Sequence, residues 1–476
     1  MSETKSTFRT TRKTVRPHIP SEQQDARAGL TAVEREAGVS FRASAAPTRL
    51  LTPLESEKRR AKLMVGTHDG VSSVRKMRKP GRSLSLKPAP KIVTAPKDPR
   101  EVRRQFFLSS IKSHAASMDI YLLLFAASLA LIGVLAVFSA SHSYESKRYV
   151  IIQAFVAVVG MGGALLLSFF DYRGLLKKLK WVLIVNLALL IITAIFGEGV
   201  TGSSNENWLN FGIIKIQPSE VAKVLFIASF AGHLALVKDR VSKPLTALML
   251  FLHAGLIMGL TYLQHDDGTL TIFLGIFVIM LFAANFGVWY YVAGGAALFA
   301  ALPFVWKKLG TYQQERILVI FDSDVDPNAI GIRQQTARAM SAIRSGGLAG
   351  SGYLHGAVTQ GNLFAKHTDM IFATICEESG LVGGLALLAL FAAFIARIVH
   401  IGMTCRNPFG CFICFGTAAM FAIQLVENIG MCLGVMPVIG VTLPFISYGG
   451  SSAIGAYLAV GLVLSVSTHK EKTFFG

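Results

Sequence analysis

Residues 118–140 read MDIYLLLFAASLALIGVLAVFSA, and beyond Asp119 this run carries no charge. Some twenty apolar residues wound as a helix at about 1.5 Å per residue cover the ~30 Å hydrocarbon core of a bilayer, so the run is a membrane span. Nine more follow, near 149–169, 179–197, 219–237, 244–263, 269–286, 288–306, 370–398, 411–433 and 451–467. The sixth and seventh are parted only by the uncharged turn Ala284–Gly287. Lys and Arg gather in cytoplasmic loops of membrane proteins, and here they gather in alternate loops: Arg173, Lys177, Lys178 and Lys180, then Lys238, Arg240 and Lys243, then Arg397 and Arg406. Lys470 and Lys472 fall on that side too. The expected fold is therefore an all-α membrane protein of about ten transmembrane helices, with both termini cytoplasmic.

Composition agrees. Of 476 residues, 52% are hydrophobic and only 16% charged, against about 25% charged in soluble domains. The net charge is +19, and 25 of the 47 basic residues lie in residues 1–117. That block is rich in Arg, Lys, Ser, Thr and Pro, has no long apolar run, and reads as a disordered basic cytoplasmic tail ahead of a membrane domain at 118–470. Clusters such as Lys58-Arg59-Arg60 and Arg75-Lys76-Met77-Arg78-Lys79 suit anionic headgroups; a solvated tail that only sets topology is the other reading. Glu22, Glu34, Glu36, Glu55 and Glu57 argue against a transit peptide. Basic charge alone also admits nucleic acid, but charge sorted by membrane side does not call for it. The five cysteines lie mostly within apolar runs and imply no disulfide framework. Cys411-Phe412-Ile413-Cys414 has the spacing of half a zinc site without a second half, and reads as core packing.

The outer loop over 307–369 is far longer than ordinary connections, which favours a functional role. Ile332, Thr336, Ala339 and Ile343 fall at helical spacing opposite Arg333, Arg338 and Arg344, the pattern of an amphipathic helix lying on the membrane, and Gly346-Gly347 would end it. Gly350–Gly361 reads as a loop. No internal repeat is visible, which counts against a transporter built of inverted repeats. A phosphate-binding glycine loop and a nucleophile elbow are both lacking, against ATP-driven pumping.

Ionisable residues within spans are costly and mark candidate sites. Glu220 and Lys223 lie three apart in Gln217-Pro218-Ser219-Glu220-Val221-Ala222-Lys223 and share a helical face; they form a structural ion pair, or one that presents Lys223 to an anionic substrate. Asp266 and Asp267 begin span six as a turn and helix cap, or as two ligands of a metal site. Glu427 and Asn428 must face the bundle interior and read as structural. Lys366-His367-Thr368-Asp369, followed by Glu377-Glu378, combines a cation, a base and acids where the outer loop re-enters the membrane. Asp369 there is a helix cap or a catalytic carboxylate.

In order and spacing these motifs resemble the SEDS family (shape, elongation, division and sporulation), the bacterial peptidoglycan polymerases typified by RodA and FtsW. The resemblance covers about 118–470. It rests on Asn207-Trp208-Leu209 through Lys223, Leu263-Gln264 through Gly268-Thr269, Tyr312-Gln313 with Arg316, Ser345-Gly346-Gly347, His367-Thr368-Asp369, Glu377-Glu378 and Leu443-Pro444-Phe445-Ile446-Ser447-Tyr448-Gly449-Gly450-Ser451-Ser452. Gly352-Tyr353-Leu354-His355-Gly356 looks more like the RodA elongation branch than the FtsW division branch. Departures from the pattern are His265 and the additional Asp267, Leu363-Phe364-Ala365 where the family has Leu-Pro-Glu, Asn207 where it has Arg, and Arg344 where it has Gly.

The resemblance implies an inverting peptidoglycan glycosyltransferase that polymerises lipid II at the outer face of the bacterial cytoplasmic membrane during elongation and shape maintenance. Asp369 is then the catalytic base. Trp208, Glu220, Lys223, Asp266, Arg316, Lys366, His367, Glu377 and Ser447 are the candidate substrate-binding residues. Lys223, Arg316 and Lys366 are the candidate cations for the leaving pyrophosphate, with a divalent cation (Mg²⁺ or Mn²⁺) as a further aid and no protein-borne metal cluster called for. Implied partners are the polyprenyl-pyrophosphate-linked glycan, a class B penicillin-binding transpeptidase and elongation-complex proteins, and not nucleic acid. A lipid-linked precursor flippase and a membrane scaffold for the transpeptidase are the rival readings.

Overall fold

The computed structural model describes residues 99–144, 147–199, 207–212, 215–361 and 363–470. The basic clusters of the tail lie outside them. The last nineteen residues assigned to the tail form helix α1 (Pro99–Ser117), so the reading of this part of the block as disordered is corrected.

The spans follow in the expected places: α2 (Ile120–Ser141), α3 (Arg148–Ser168), α5 (Leu179–Phe196) after the short α4 (Arg173–Lys177), α6 (Pro218–Val237), α7 (Pro244–Leu263), α8 (Asp267–Ala283) and α9 (Val288–Lys308). After the outer loop come α13 (Ile371–Thr404), α14 (Pro408–Cys432) and α15 (Gly450–Thr468). Among the described residues, nine of these are long and apolar enough to cross a membrane; α8, at 17 residues, is the tenth and shortest. Their starts follow local chemistry. The Asp119 carboxylate accepts the Leu122 N–H at 3.1 Å, and Pro218, Pro244 and Pro408 sit in the first turn, where a missing N–H costs nothing.

Burial sorts the helices. Along α6, α14 and α15 most residues are covered by protein, so these three form the centre of the bundle. Helix α9 buries none of its residues. At the end where α2 begins, Arg397 grips Asp119 through Nη2 at 2.7 Å and Nε at 2.9 and 3.0 Å.

The outer loop carries α10 (Thr311–Phe321), α11 (Gln334–Gly346) and the one-turn α12 (Ala357–Gln360). Helix α11 ends at Gly347, as its glycines predict, but its apolar face does not await lipid. Ala339, Ala342 and Gly346 are buried against α13, and a Cβ on Gly346 would begin 2.1 Å from the Cys376 carbonyl oxygen. The interfacial reading of this helix is thereby corrected: the bundle supplies its apolar partner.

Helix α13 is broken. Gly380 stands at φ 67°, ψ −168°, outside helical space, and the segment 347–352 fills the break. The N–H groups of Ser351 and Gly352 donate to the Glu377 and Glu378 carbonyls at 2.9 and 3.0 Å, and the Leu381 N–H donates to Gly347 O at 2.9 Å. A helix interrupted inside a membrane must have its freed backbone groups satisfied by neighbouring protein. The outer loop does this.

Candidate active site

One polar cavity of about 390 Å³ opens where α6, α8 and α15 begin and α13 is entered. Each wall has a local cause. Pro218 starts α6, so Gln217 ahead of it stays extended and Glu220 faces in. Asp266 caps α8, and Thr368 and Asp369 belong to the last loop before α13. Trp208 is held by a backbone bridge to Glu198, with N···O distances of 2.7 and 3.3 Å. Residues 439–442, Tyr448 and Gly449 of the late loop, with Ser452 in the first turn of α15, contribute most of the remaining wall.

Three carboxylates reach this space in three different electrostatic conditions. Glu220 is paired with Lys223, Nζ to Oε2 at 2.9 Å, and both side chains are buried. Asp266 accepts from Gln217 Nε2 at 3.1 Å, Ser219 Oγ at 3.2 Å and the Thr269 N–H at 3.1 Å. The Asp369 carboxyl lines the cavity with no hydrogen bond among the described residues, and burial pushes it up from 3.8 to about 6. Desolvation disfavours the charged form, whereas an opposite charge or donated hydrogen bonds favour it. Asp369 is thus the carboxylate whose surroundings favour taking up a proton and whose lone pairs stand available to do so.

Its backbone is clamped. Asn428 Nδ2 donates to Asp369 O and to Val441 O, both at 2.8 Å. Ser447 Oγ donates to Thr368 O at 2.6 Å, and the Tyr448 N–H to His367 O at 2.8 Å. A side chain on Gly440, at φ 77°, would begin 3.9 Å from Asp369 Oδ2. Helix α13 is capped at Met370 without a side-chain bond, so Asp369 does not serve as its cap.

Of the residues the sequence marks, Trp208, Glu220, Asp266 and Asp369 share the cavity, with Lys223 directly behind Glu220. Besides Lys223, five others lie outside its lining. Lys366 is buried and donates to Ser143 Oγ at 2.6 Å and Thr359 O at 2.8 Å; loss of solvent lowers its pKa. His367 packs its ring against Tyr149 and Tyr448, with centroids 4.9 and 5.7 Å away, and desolvation followed by the Lys366 charge lowers its pKa. Glu377 accepts from Val358 N and Thr359 N at 2.8 Å and from Thr359 Oγ1 at 2.6 Å, fastening the outer loop. Ser447 supports the Asp369 loop from behind. Arg316 borders a separate outer pocket with Arg333 and Met340. Among the described residues no Lys or Arg lines the cavity itself.

Gln217, Gln424, Thr442, Tyr448 and Ser452 also line it, and the sequence reading gives none of them a role. Gln424 precedes Asn428 by one helical turn, and such a polar pair in an apolar span is a usable signal. Among the described residues no three His, Cys, Asp or Glu side chains converge to hold a metal ion. The donor set does not fit a divalent cation held by the protein alone, and no step is assigned to one.

The family model for FtsW, RodA and SpoVE, described as "Cell cycle protein", matches residues 119–472. The chain is 36% identical over 362 residues to "Probable peptidoglycan glycosyltransferase FtsW" of Thiomicrospira cyclica, covering 73% of this chain and 91% of that protein. It is 33% identical over 293 residues to "Peptidoglycan glycosyltransferase MrdB" of Escherichia coli K12, covering 60% and 77%. Among solved structures it is similar, at 28% identity and TM-score 0.65, to a chain described under "Structural coordination of polymerization and crosslinking by a peptidoglycan synthase complex", with coverage of 75% and 99%. It is also similar to the rod shape determining protein RodA of Thermus thermophilus, at 25% identity and TM-score 0.57, with coverage of 75% and 98%. The fold and the cavity are those of a polytopic membrane protein with its polar chemistry at one end of the bundle. The chain belongs to the FtsW/RodA/SpoVE family, the SEDS family its motifs resemble.

Proposed function

We propose that this chain is a peptidoglycan glycosyltransferase that polymerises lipid II at the outer face of the bacterial cytoplasmic membrane. The observation that carries the reading is Asp369: a carboxylate without a hydrogen bond among the described residues, raised to about 6, in a polar cavity at the membrane end of the outer loop. A sugar hydroxyl is a weak nucleophile and needs a base whose pKa lies near the working pH. Asp369 takes the proton of the acceptor 4-hydroxyl as its oxygen attacks the anomeric carbon of the lipid-linked donor from the face opposite the pyrophosphate, which leaves with inversion. The Asn428, Ser447 and Tyr448 hydrogen bonds hold the base in place before substrate arrives. Glu220 and Asp266 serve to orient polar groups of the sugar. With no cation among the described lining residues, the positive field on the pyrophosphate comes from Lys223 one layer behind Glu220, together with the neutral donors of the wall. Embedding the site in ten helices lets a polyprenyl chain remain in the bilayer.

Gathering of basic residues at the end opposite the cavity supports an outward-facing cavity and cytoplasmic termini. Relatives that bear both branch names support either elongation or division; Gly352-Tyr353-Leu354-His355-Gly356 favours elongation. A class B penicillin-binding transpeptidase is the proposed partner, in keeping with the similar chain described under a synthase complex that coordinates polymerisation and crosslinking. The test is purified protein incubated with lipid II, with and without that transpeptidase, and polymer read on a gel. Glycan strands from wild type and none from Asp369→Asn are expected. Equal polymer from both would remove Asp369 from the chemistry.

A further inference from the structure

A second recess lies in the other half of the bundle, between the end of α3, the short α4, and the facing sides of α5, α6 and α15. It is an apolar groove of about 500 Å³ lined by Leu167, Val182, Val224, Ala228 and Leu462. Along α6 it runs from Val221 to Ala228, about 10 Å at the helical rise, a third of the ~30 Å hydrocarbon core. Its polar end differs from the catalytic cavity in sign. Lys178 borders it, exposed, with Lys177 and Lys180 exposed beside it. Asp171 also borders it but is already engaged by Arg173, whose Nε lies 3.0 Å from both carboxylate oxygens and whose Nη2 lies 3.0 Å from Oδ2. Asp171 is the only acid in residues 171–180, against Arg173, Lys177, Lys178 and Lys180. The mouth itself is built: the Tyr172 N–H donates to Ser465 Oγ at 3.0 Å, and Ser465 Oγ donates to Phe170 O, which locks the loop to the last turn of α15.

We infer that this groove is a binding site for one anionic phospholipid of the inner leaflet, with an acyl chain along α6 and the phosphate at Lys178 and Lys177. The choice of leaflet rests on the outward-facing cavity proposed above; the lipid's charge and the seat of its chain do not. An apolar slot that ends in lysines at one end of a bundle matches such a lipid in both parts: the chain fills the slot, and the headgroup meets opposite charge. A substrate polyprenyl chain entering from the cavity would put its apolar tail against the lysines and bring them no counter-charge. A lipid without net charge would bring none either.

The experiment uses the full chain in nanodiscs of equal phosphatidylglycerol and phosphatidylcholine, released into detergent and weighed by native mass spectrometry. Wild type should retain one phosphatidylglycerol over phosphatidylcholine by at least about five-fold, the preference one basic residue near an anionic surface confers. The double variant Lys177→Gln, Lys178→Gln should keep the wild-type melting temperature, lose that preference and still hold a lipid. Ala228→Phe, which fills the slot, should retain none. Equal retention of the two phospholipids by wild type, an undiminished preference in the double lysine variant, wild-type retention by Ala228→Phe, or displacement of phosphatidylglycerol by an equimolar polyprenyl phosphate would each overturn the assignment. None of these readouts involves lipid II polymerisation, so failure here and failure of the proposed enzymatic reading are told apart.

Discussion

Asp369 shows how a single residue carries opposite demands of folding and chemistry. Its folded-state carboxyl titrates at about 6 against an ordinary 3.8, so the folded protein binds this proton more tightly than the unfolded chain. Ionised Asp369 therefore costs stability above pH 6, by about 3 kcal/mol, and the cost fades as pH falls from 6 towards 4. Asp369→Asn should melt higher than wild type at pH 8 and equally at pH 4, in thermal scans of detergent-purified protein. Its polymerisation should fall by roughly 10²–10⁴, the contribution of a general base. Wild-type turnover should itself decline below pH 6 as the base is protonated. Asn428 acts one step back, since it touches the Asp369 and Val441 carbonyls and does not line the cavity. Asn428→Ala leaves both carbonyls without this donor, at about 1–3 kcal/mol for each that stays dry. Turnover should drop with little change in the substrate concentration at half-maximal rate; a change confined to the latter would mean Asn428 handles substrate and does not position the base.

Among the elements, α6 and α13 make the commitments that matter. In the first turns of α6, Glu220 and Lys223 form a buried pair, and removal of one partner strands the other at about 3–5 kcal/mol. Lys223→Met should lower both melting temperature and activity, and adding Glu220→Gln should restore melting more than activity. Single variants that melt like wild type would show the pair to be solvated. In α13 the break at Gly380 is matched to the outer loop. A Cβ there would begin 2.4 Å from both Gly350 N and Leu348 O, and the φ of 67° already disfavours any residue with a side chain. Gly380→Ala should cost more than about 2 kcal/mol, through backbone strain and a backbone clash. Limited proteolysis should then cut at 347–352, where the wild-type segment resists.

At the scale of the whole molecule, the chain separates a polar, acid-bearing cavity from a basic end, and the bundle centre of α6, α14 and α15 lies between them. Every described residue of the cavity lining falls between Asn207 and Ser452, far along the chain from the basic block at 1–98. Deleting that block should leave insertion and lipid II polymerisation in detergent near wild type, as measured by polymer per folded protein. Loss of all polymer from a variant that inserts normally would make the block part of the enzyme.

The spans were legible because a ~30 Å apolar solvent demands about twenty apolar residues per helix, a requirement that nine of the described helices meet within their own segment and that the 17-residue α8 approaches. The break in α13, the partner of α11 and the cavity were not, because each depends on residues far apart in sequence. Glu377 illustrates the limit. Counted along a helix it lies near the face of Asp369, yet its carboxylate is taken by Val358 and Thr359 of the folded-back loop. Lys366 and His367 adjoin Asp369 in the chain and stay out of its cavity for the same reason, with their partners supplied by Ser143, Tyr149 and Tyr448. Local chemistry determined the helices, their starts and the polar residues available for a site. Tertiary packing alone decided that the Asp369 carboxyl would line the cavity with no hydrogen bond among the described residues, since the surroundings of a group come from everything packed about it and are written in no single stretch of sequence.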